Sequence, residues 1–263
     1  MHVASLHRYP VKSCRGEAVA ELALDRHGPI GDRCFMIIDA EGRFVTQREH
    51  HRLALVTPEV GARTLSLTAP GMSRLEIPLD AARPSRDFTV WRFSGAGADL
   101  GLEAEAWLTA LLQSPVRLVE WRDAEFRAAN PAHAPEGSSA GRFTDGYPVL
   151  LATEASLADL NRRMAKPLPM TRFRPNVVVA GAEPWAEDGW RALRIGGVEL
   201  RVAKPCERCV ITTIDQETGV ASKEPLATLA TFRKRDGAVH FAVNLVHVAP
   251  GTLRAGDPVE VLG

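Results

Sequence analysis

The sequence predicts a mainly-β fold with a few helices, organised as two domains. Three observations carry this reading. Short apolar stretches separated by turn residues fill the first third of the chain, few segments show helical spacing, and no run of alternating strands and helices winds a parallel sheet. At 263 residues, 45% hydrophobic and 24% charged, the chain can bury a core without disulfides.

Taken in order, Phe35 to Asp39 and Arg43 to Thr46 flank the turn Asp39-Ala40-Glu41-Gly42, and Thr64 to Thr68 and Arg74 to Leu79 flank Pro70-Gly71. Both read as hairpins. A helix is predicted over Ala98 to Gln113, with Leu102, Ala106, Leu108, Leu111 and Leu112 near helical spacing and Pro115 as its stop. That helix closes the first domain. Residues 123 to 146, rich in Ala, Pro, Gly and Ser, lack periodicity and read as an ordered functional loop or a connection. A strand at Val149 to Ala152 leads into a helix that Thr153 caps, with Leu157, Leu160 and Met164 on one face. Asn176 to Ala180 is a strand, and Leu193 to Ile195 and Val198 to Val202 form a hairpin across Gly196-Gly197. Glu224 to Lys234 is a short helix, and Val239 to Val248 and Val259 to Leu262 supply the last strands.

Lys and Arg together number 32, as do Asp and Glu. No long-range field therefore draws the chain to nucleic acid or to an anionic membrane, and any anion site must be local. Met1 to Pro10 is no signal peptide, and no run approaches the roughly 20 apolar residues of a membrane span. The cytoplasm is the expected compartment. There Cys14, Cys34, Cys206 and Cys209 stay reduced and serve as core residues, ligands or redox groups.

Two motifs fail on context. Gly95 to Gly101 sets its third glycine one residue late for a dinucleotide fingerprint, and Gly137-Ser138-Ser139-Ala140-Gly141 lacks the strand and helix that a nucleophile elbow needs. The informative stretch is Lys204-Pro205-Cys206-Glu207-Arg208-Cys209, running on to Thr212, Thr213 and Asp215. Its CxxC admits structural zinc, a redox dithiol, or one soft thiolate ligand for a metal supplied by a cofactor. Zinc needs about four ligands and no second Cys or His pair stands at ligand spacing; the dithiol lacks its usual βαβ context. For the third reading, Lys204 and Arg208 favour the thiolate form that binds metal, and Thr212, Thr213 and Asp215 offer groups to order its surroundings. The residues alone leave these readings open.

The segment from Cys206 to Gly219, with Lys223-Glu224-Pro225-Leu226 and Pro250 to Val259, resembles MOSC proteins of the amidoxime-reducing and N-hydroxylaminopurine-detoxifying type. The resemblance extends through Phe173-Arg174-Pro175-Asn176, Ala152 to Leu157, Tyr9 to Cys14 and Gly31-Asp32-Arg33, and so spans nearly the whole chain. It implies an N-terminal β-barrel-like domain over residues 1–120 and a MOSC β-barrel domain over residues 121–263, with a pterin-based molybdenum cofactor at their junction. Cys209 matches the metal-binding cysteine. Lys12, Ser13, Arg33, Thr153, Ser156, Arg174 and Asn176 fall on positions that hold the pterin or its phosphate, and Arg208 joins that clamp. Lys and Arg suit phosphate, and short hydroxyl or amide groups suit a pterin edge.

Asp215 is expected either to handle or orient a proton or to make an Asx turn before Thr218-Gly219, and Cys206 is expected to be a packed thiol. By the same resemblance Asn244 stands where the mitochondrial members carry an aromatic residue, and no membrane anchor is expected ahead of Met1. No C-x4-C-x2-C spacing is present, so no iron–sulfur cluster is expected and electrons come from a separate ferredoxin-type or cytochrome b5-like protein. The implied activity is reduction of small N-hydroxylated compounds. A non-catalytic carrier of the cofactor or of sulfur through Cys209 is the alternative, and a zinc-binding or structural β-protein the third.

Overall fold

The computed structural model describes residues 1–263 as nineteen strands, three α-helices and four 3-10 turns. The mainly-β expectation holds. The largest sheet has nine strands, in the order Val259–Val261, Ala192–Ile195, Val198–Glu207, Ala238–His247, Val149–Thr153, Val177–Ala180, His2–Arg8 and Glu17–Val19, with Lys234–Arg235 paired to Ala238–His247 off this path. The first strand of the chain thus lies inside the sheet built by the C-terminal half, with Leu6 opposite Val177. Val3, Leu6, Leu22 and Leu24 join Val149, Leu151, Leu193, Leu200, Val243 and Leu245 in one buried core. Alternating apolar residues along each strand face that core because side chains alternate across a pleated sheet. No helix is long and apolar enough to cross a membrane.

The rest of the N-terminal half makes a second unit. Phe35–Ile38, Arg117–Glu120, Phe93–Asp99 and Ser85–Val90 pair in that order, and Thr57–Val60, Thr64–Thr68 and Leu75–Pro78 form a separate meander. Helix α1, Leu102–Leu112, covers this meander and buries Ala104, Trp107, Leu108, Leu111 and Leu112. That spacing, at i, i+3, i+4, i+7 and i+8, is an amphipathic stripe. Its phase differs from the one expected, since Leu102 and Ala106 face solvent and Trp107 faces the core.

Other boundaries also move. Ala98 pairs with Glu120 in a strand, so α1 starts four residues late, behind an N-cap Gly101 at φ 94° that only glycine adopts easily. The glycine run from Gly95 belongs to that strand. A Cβ on Gly97 would stand 2.7 Å from the carbonyl oxygen of Glu120, so close strand approach accounts for it. Arg43 to Thr46 makes isolated bridges rather than a ladder. The last helix, α3, shrinks to Leu226–Ala230, because Lys234 and Arg235 turn back into a strand. One parallel pair exists where none was expected: Leu151 lies beside Val177, with α2 (Glu154–Arg162) in the crossover. A single crossover of this kind leaves the sheet otherwise antiparallel.

The strand Val198–Glu207 runs five residues beyond the expected hairpin and delivers Cys206 to its end. Cys209 then caps a 3-10 turn, Val210–Thr213. These residues open onto the space between the two units.

Candidate functional site

A cleft of about 1370 Å³ lies between the units, lined by 34 residues. It gathers Lys12, Ser13, Arg33, Arg174, Asn176, Arg208 and Cys209 from segments far apart in sequence. Four of the eight non-glycine residues with positive φ line it: Ser13, Arg33, Trp91 and Arg174. Such conformations cost free energy and persist where the surroundings impose them, as at ligand sites.

The basic wall is built on Tyr9. Its buried ring carries the guanidinium of Arg33 at 4.3 Å and that of Arg174 at 4.3 Å, each a cation–π contact. Arg33 is held by Asp32 at 2.6 Å, by Asn176 Oδ1 at 3.2 Å and by the carbonyl of Arg174 at 3.3 Å. The Asn176 amide is fully occupied, since it also donates to His7 and Asp32 and accepts from Leu150. It positions Arg33. Arg174 differs: its side chain makes no hydrogen bond and no ion pair within the protein, although it is 9% exposed. Burial first, then the charge of Arg33, brings its guanidinium down to about 10. A cation kept at that cost, with its donors turned to a cleft, suits an anionic ligand.

Lys12 donates to the carbonyl of Phe143 at 2.8 Å and to Asp145 at 2.5 Å. Burial lowers its ammonium against the pull of Asp145. Desolvation opposes ionisation of Asp145, but Lys12, Arg48 and Arg33 outweigh it and hold that carboxyl well below the usual carboxylate range. The cleft as a whole presents eight Lys or Arg side chains against two carboxylates, Asp145 and Glu207. A chain with no net charge thus concentrates positive potential in one place.

Cys209 is half-buried and faces this cleft. The guanidinium beside its sulfur is that of Arg48, whose Nη2 stands 3.6 Å from Sγ, and not the neighbours expected from sequence. Lys204 pairs with Glu207 at 2.7 Å, and Arg208 donates to Cys206 Sγ at 3.0 Å and to the carbonyl of Phe173 at 2.8 Å. Cys206 is therefore a cleft-lining thiol and not a packed one. No cluster of three or more His, Cys, Asp or Glu side chains converges anywhere in the chain. Cys209 therefore has no set of protein ligands gathered around it.

Three expected site residues stand elsewhere. Thr153 accepts from the amide of Ser156 at 3.2 Å, the predicted cap, and both hydroxyls lie against Glu187 Oε2, at 3.1 Å and 2.9 Å, in a fully buried cluster behind the cleft. Their hydrogen bonds are consumed there. Asp215 Oδ1 accepts from the amides of Glu217 and Thr218 and from the Thr218 hydroxyl, an Asx turn. Burial would raise its carboxyl, but these bonds and Arg172 pull it below the ordinary value. It stays ionised and fully engaged, which is the wrong state for proton handling.

Beside Arg48, sequence reasoning missed three contributors. Arg172 donates to the carbonyl of Thr212 at 3.1 Å and to Asp215 at 3.3 Å, which fixes the turn that carries Cys209. Gln47 donates to the carbonyl of Ser13 at 2.5 Å and pairs with Gln216, so the turn after Lys12 is tied to the loop after Cys209. Arg127, from the segment read as a functional loop, completes the basic lining. Only that compositional signal pointed to it. Asn244 lines the cleft from Ala238–His247, opposite Lys204 in the sheet register.

Comparison with known proteins gives two domain matches, to the MOSC N-terminal beta barrel domain over residues 1–115 and to the MOSC domain over residues 139–260. The chain is 38% identical to mitochondrial amidoxime-reducing component 1 of Homo sapiens, across 99% of this chain and 83% of that one. It is 35% identical to mitochondrial amidoxime reducing component 2 of Rattus norvegicus, across 98% and 82%. Among solved structures, the YUAD protein of Bacillus subtilis aligns over 98% of this chain and 92% of its own, at 13% identity and a TM-score of 0.45.

Proposed function

This chain belongs to the MOSC family, alongside the amidoxime-reducing components, and on that premise we propose that it is a molybdenum-cofactor-dependent reductase of N-hydroxylated compounds. The observation that carries the reading is the pairing, in one cleft, of a thiol outside any cluster of metal ligands, Cys209, with a buried arginine, Arg174, whose side chain has no hydrogen-bond or ion-pair partner in the protein. The residues fit a pterin-held metal: one sulfur for the ion, and cations for a phosphate.

When bound, the cofactor supplies two electrons that, with two protons, convert N–OH to N–H and water. The chain's own groups do the holding. Cys209 is the metal's thiolate ligand, and Arg48 at 3.6 Å balances its charge. Arg174, Arg33 and Lys12 clamp the phosphate, Tyr9 and Asn176 set the angle of the two arginines, and Ser13 presents its hydroxyl from a left-handed turn pinned by Gln47. The Arg172 strut keeps the 3-10 turn, and with it the Cys209 sulfur, at a fixed height over the cleft. Electrons come from a separate ferredoxin-type or cytochrome b5-like protein, because none of the four cysteines stands at cluster spacing.

Purified, cofactor-loaded chain is expected to reduce a simple amidoxime with a chemical donor and to leave NADH and NADPH untouched. Direct NADH oxidation without a second protein would overturn the electron path. Molybdenum without turnover of any N-hydroxylated compound would make the chain a cofactor carrier instead.

A further inference from the structure

The Cys209 sulfur receives a single protein hydrogen bond, from Arg48 Nη2 at 3.6 Å. The same nitrogen stands 3.6 Å from Asp145 Oδ2. Sulfur is the larger atom, so that spacing is a hydrogen bond to Sγ but only an ion pair to the carboxylate. One guanidinium is thus shared between a sulfur and a carboxylate that compete for it.

Its place is fixed from both ends. The Arg48 amide donates to Thr46 Oγ1 at 3.1 Å, and that hydroxyl donates in turn to Glu49 at 2.7 Å. The preceding residue, Gln47, is anchored on the Ser13 carbonyl. At the far end of the side chain the Trp91 ring lies 5.2 Å from the guanidinium, with Phe44 packed on that ring at 5.0 Å. Asp145 is held as well, since its Oδ1 accepts from Lys12 at 2.5 Å and from Trp91 Nε1 at 3.4 Å. Neither charge leaves the neighbourhood of the sulfur without breaking a contact already made.

A cation that hydrogen-bonds a ligating sulfur withdraws electron density from it, weakens its donation and favours the reduced metal. A carboxylate that draws the same cation the other way reverses part of that effect. We propose that Arg48, shared between Cys209 and Asp145, sets the donor strength of the Cys209 sulfur and with it the reduction potential of the metal held there. Arg48 is a positioning residue that acts through the sulfur, and Asp145 governs Arg48. The assignment rests on the reductase reading above and adds what tunes its centre.

The test is redox titration of the molybdenum paramagnetic resonance in loaded full-length chain and its variants, because a potential does not depend on how much cofactor each variant retains. Arg48→Met should lower the potential by about 59 mV, about tenfold in a one-electron equilibrium, since only the part of the contact that differs between oxidation states counts. Arg48→Lys should recover part of that shift. Asp145→Asn should raise the potential, and should do so much less when Arg48→Met is also present, where its route to the sulfur is gone. An unchanged potential in Arg48→Met, shifts of the same sign in Arg48→Met and Asp145→Asn, or an Asp145→Asn shift as large without Arg48 as with it, would overturn the proposal.

A second measurement needs no metal. Cofactor-free chain is alkylated with anionic iodoacetate and with neutral iodoacetamide, and modification of Cys209 is followed by peptide mass. The ratio of the two rates reports the charge at the sulfur whatever its ionised fraction. The anionic reagent should lose about threefold to tenfold against the neutral one in Arg48→Met and gain on it in Asp145→Asn, as expected of a unit charge in contact with the sulfur at a half-exposed site. If the chain held no molybdenum, the reductase reading would fall. The expected ratios would then still support Arg48 as the group that governs this sulfur, and unchanged ratios would overturn it.

Discussion

Replacing Arg174 by methionine is expected to stabilise the cofactor-free chain while it destroys the hold on the cofactor. Burial and Arg33 bring the guanidinium to about 10 from an ordinary value above about 12, and at roughly 1.4 kcal/mol per pKa unit the charged form costs about 3 kcal/mol. The contact with the Tyr9 ring at 4.3 Å returns about 1 to 2 kcal/mol. Methionine keeps much of the volume and removes both contributions, for a net gain of about 1 to 2 kcal/mol. At roughly 2 to 4 °C per kcal/mol for a chain of this size, the melting midpoint should rise by a few degrees. The gain depends on pH in a defined way. A base with a depressed folded pKa penalises the fold below that pKa, and the penalty fades as pH rises through it, so the advantage of Arg174→Met should be full near pH 7 and shrink above about pH 10. Thermal melts of apo wild type and variant at the two pH values check this, beside pterin content of protein made in a cofactor-competent host. A lower apo midpoint in the variant, with pterin retained in the folded fraction, would refute the reasoning and make Arg174 a structural residue.

Cys209→Ala should abolish amidoxime reduction, whereas Cys206→Ala should keep most of it, because only one protein sulfur is asked of a metal that the pterin already holds; equal losses in kcat would point to a shared dithiol or zinc site. Asp215→Ala should cost about 2 kcal/mol through the lost turn and the stranded Arg172, read as a lower melting midpoint with molybdenum content per folded chain unchanged. Glu187→Gln should stabilise the chain near neutral pH and not below about pH 4. Burial raises the Glu187 carboxyl, despite the hydroxyls of Ser156 and Thr153, so the penalty exists only where that group must ionise; urea melts at the two pH values read it.

Much of this was legible in the sequence where the signal is local. Gly196-Gly197 marked its hairpin, Thr153 its helix cap, and Pro70-Gly71 its turn, because each is decided by backbone sterics or one hydrogen bond. The phase of α1 was not, since a leucine at 102 looks apolar in any window and only the packing of the meander decides that Trp107 faces inward. The cleft shows the same division. Lys12, Arg33, Arg174 and Cys209 came from a family pattern and meet as expected, although no spacing in the chain brings them together. Arg48 was invisible because nothing local distinguishes it from other arginines in an arginine-rich chain, and Arg127 was marked only by the composition of its loop. Thr153 and Ser156 misled for the opposite reason: hydroxyls at a helix start satisfy the backbone and buried neighbours first, and here they do so completely, while Asp215 makes the Asx turn that was one of its two expected roles.

The central claim is that Cys209 and the Arg174 wall hold a molybdenum-bearing pterin. The measurement that meets it directly is elemental and pterin analysis of the full-length chain from a cofactor-competent host, set beside Cys209→Ala. About one molybdenum and one pterin per wild-type chain are expected, with molybdenum lost from the variant. Zinc in place of molybdenum, shared by Cys206 and Cys209, or wild-type chain with neither metal nor pterin, would contradict the account.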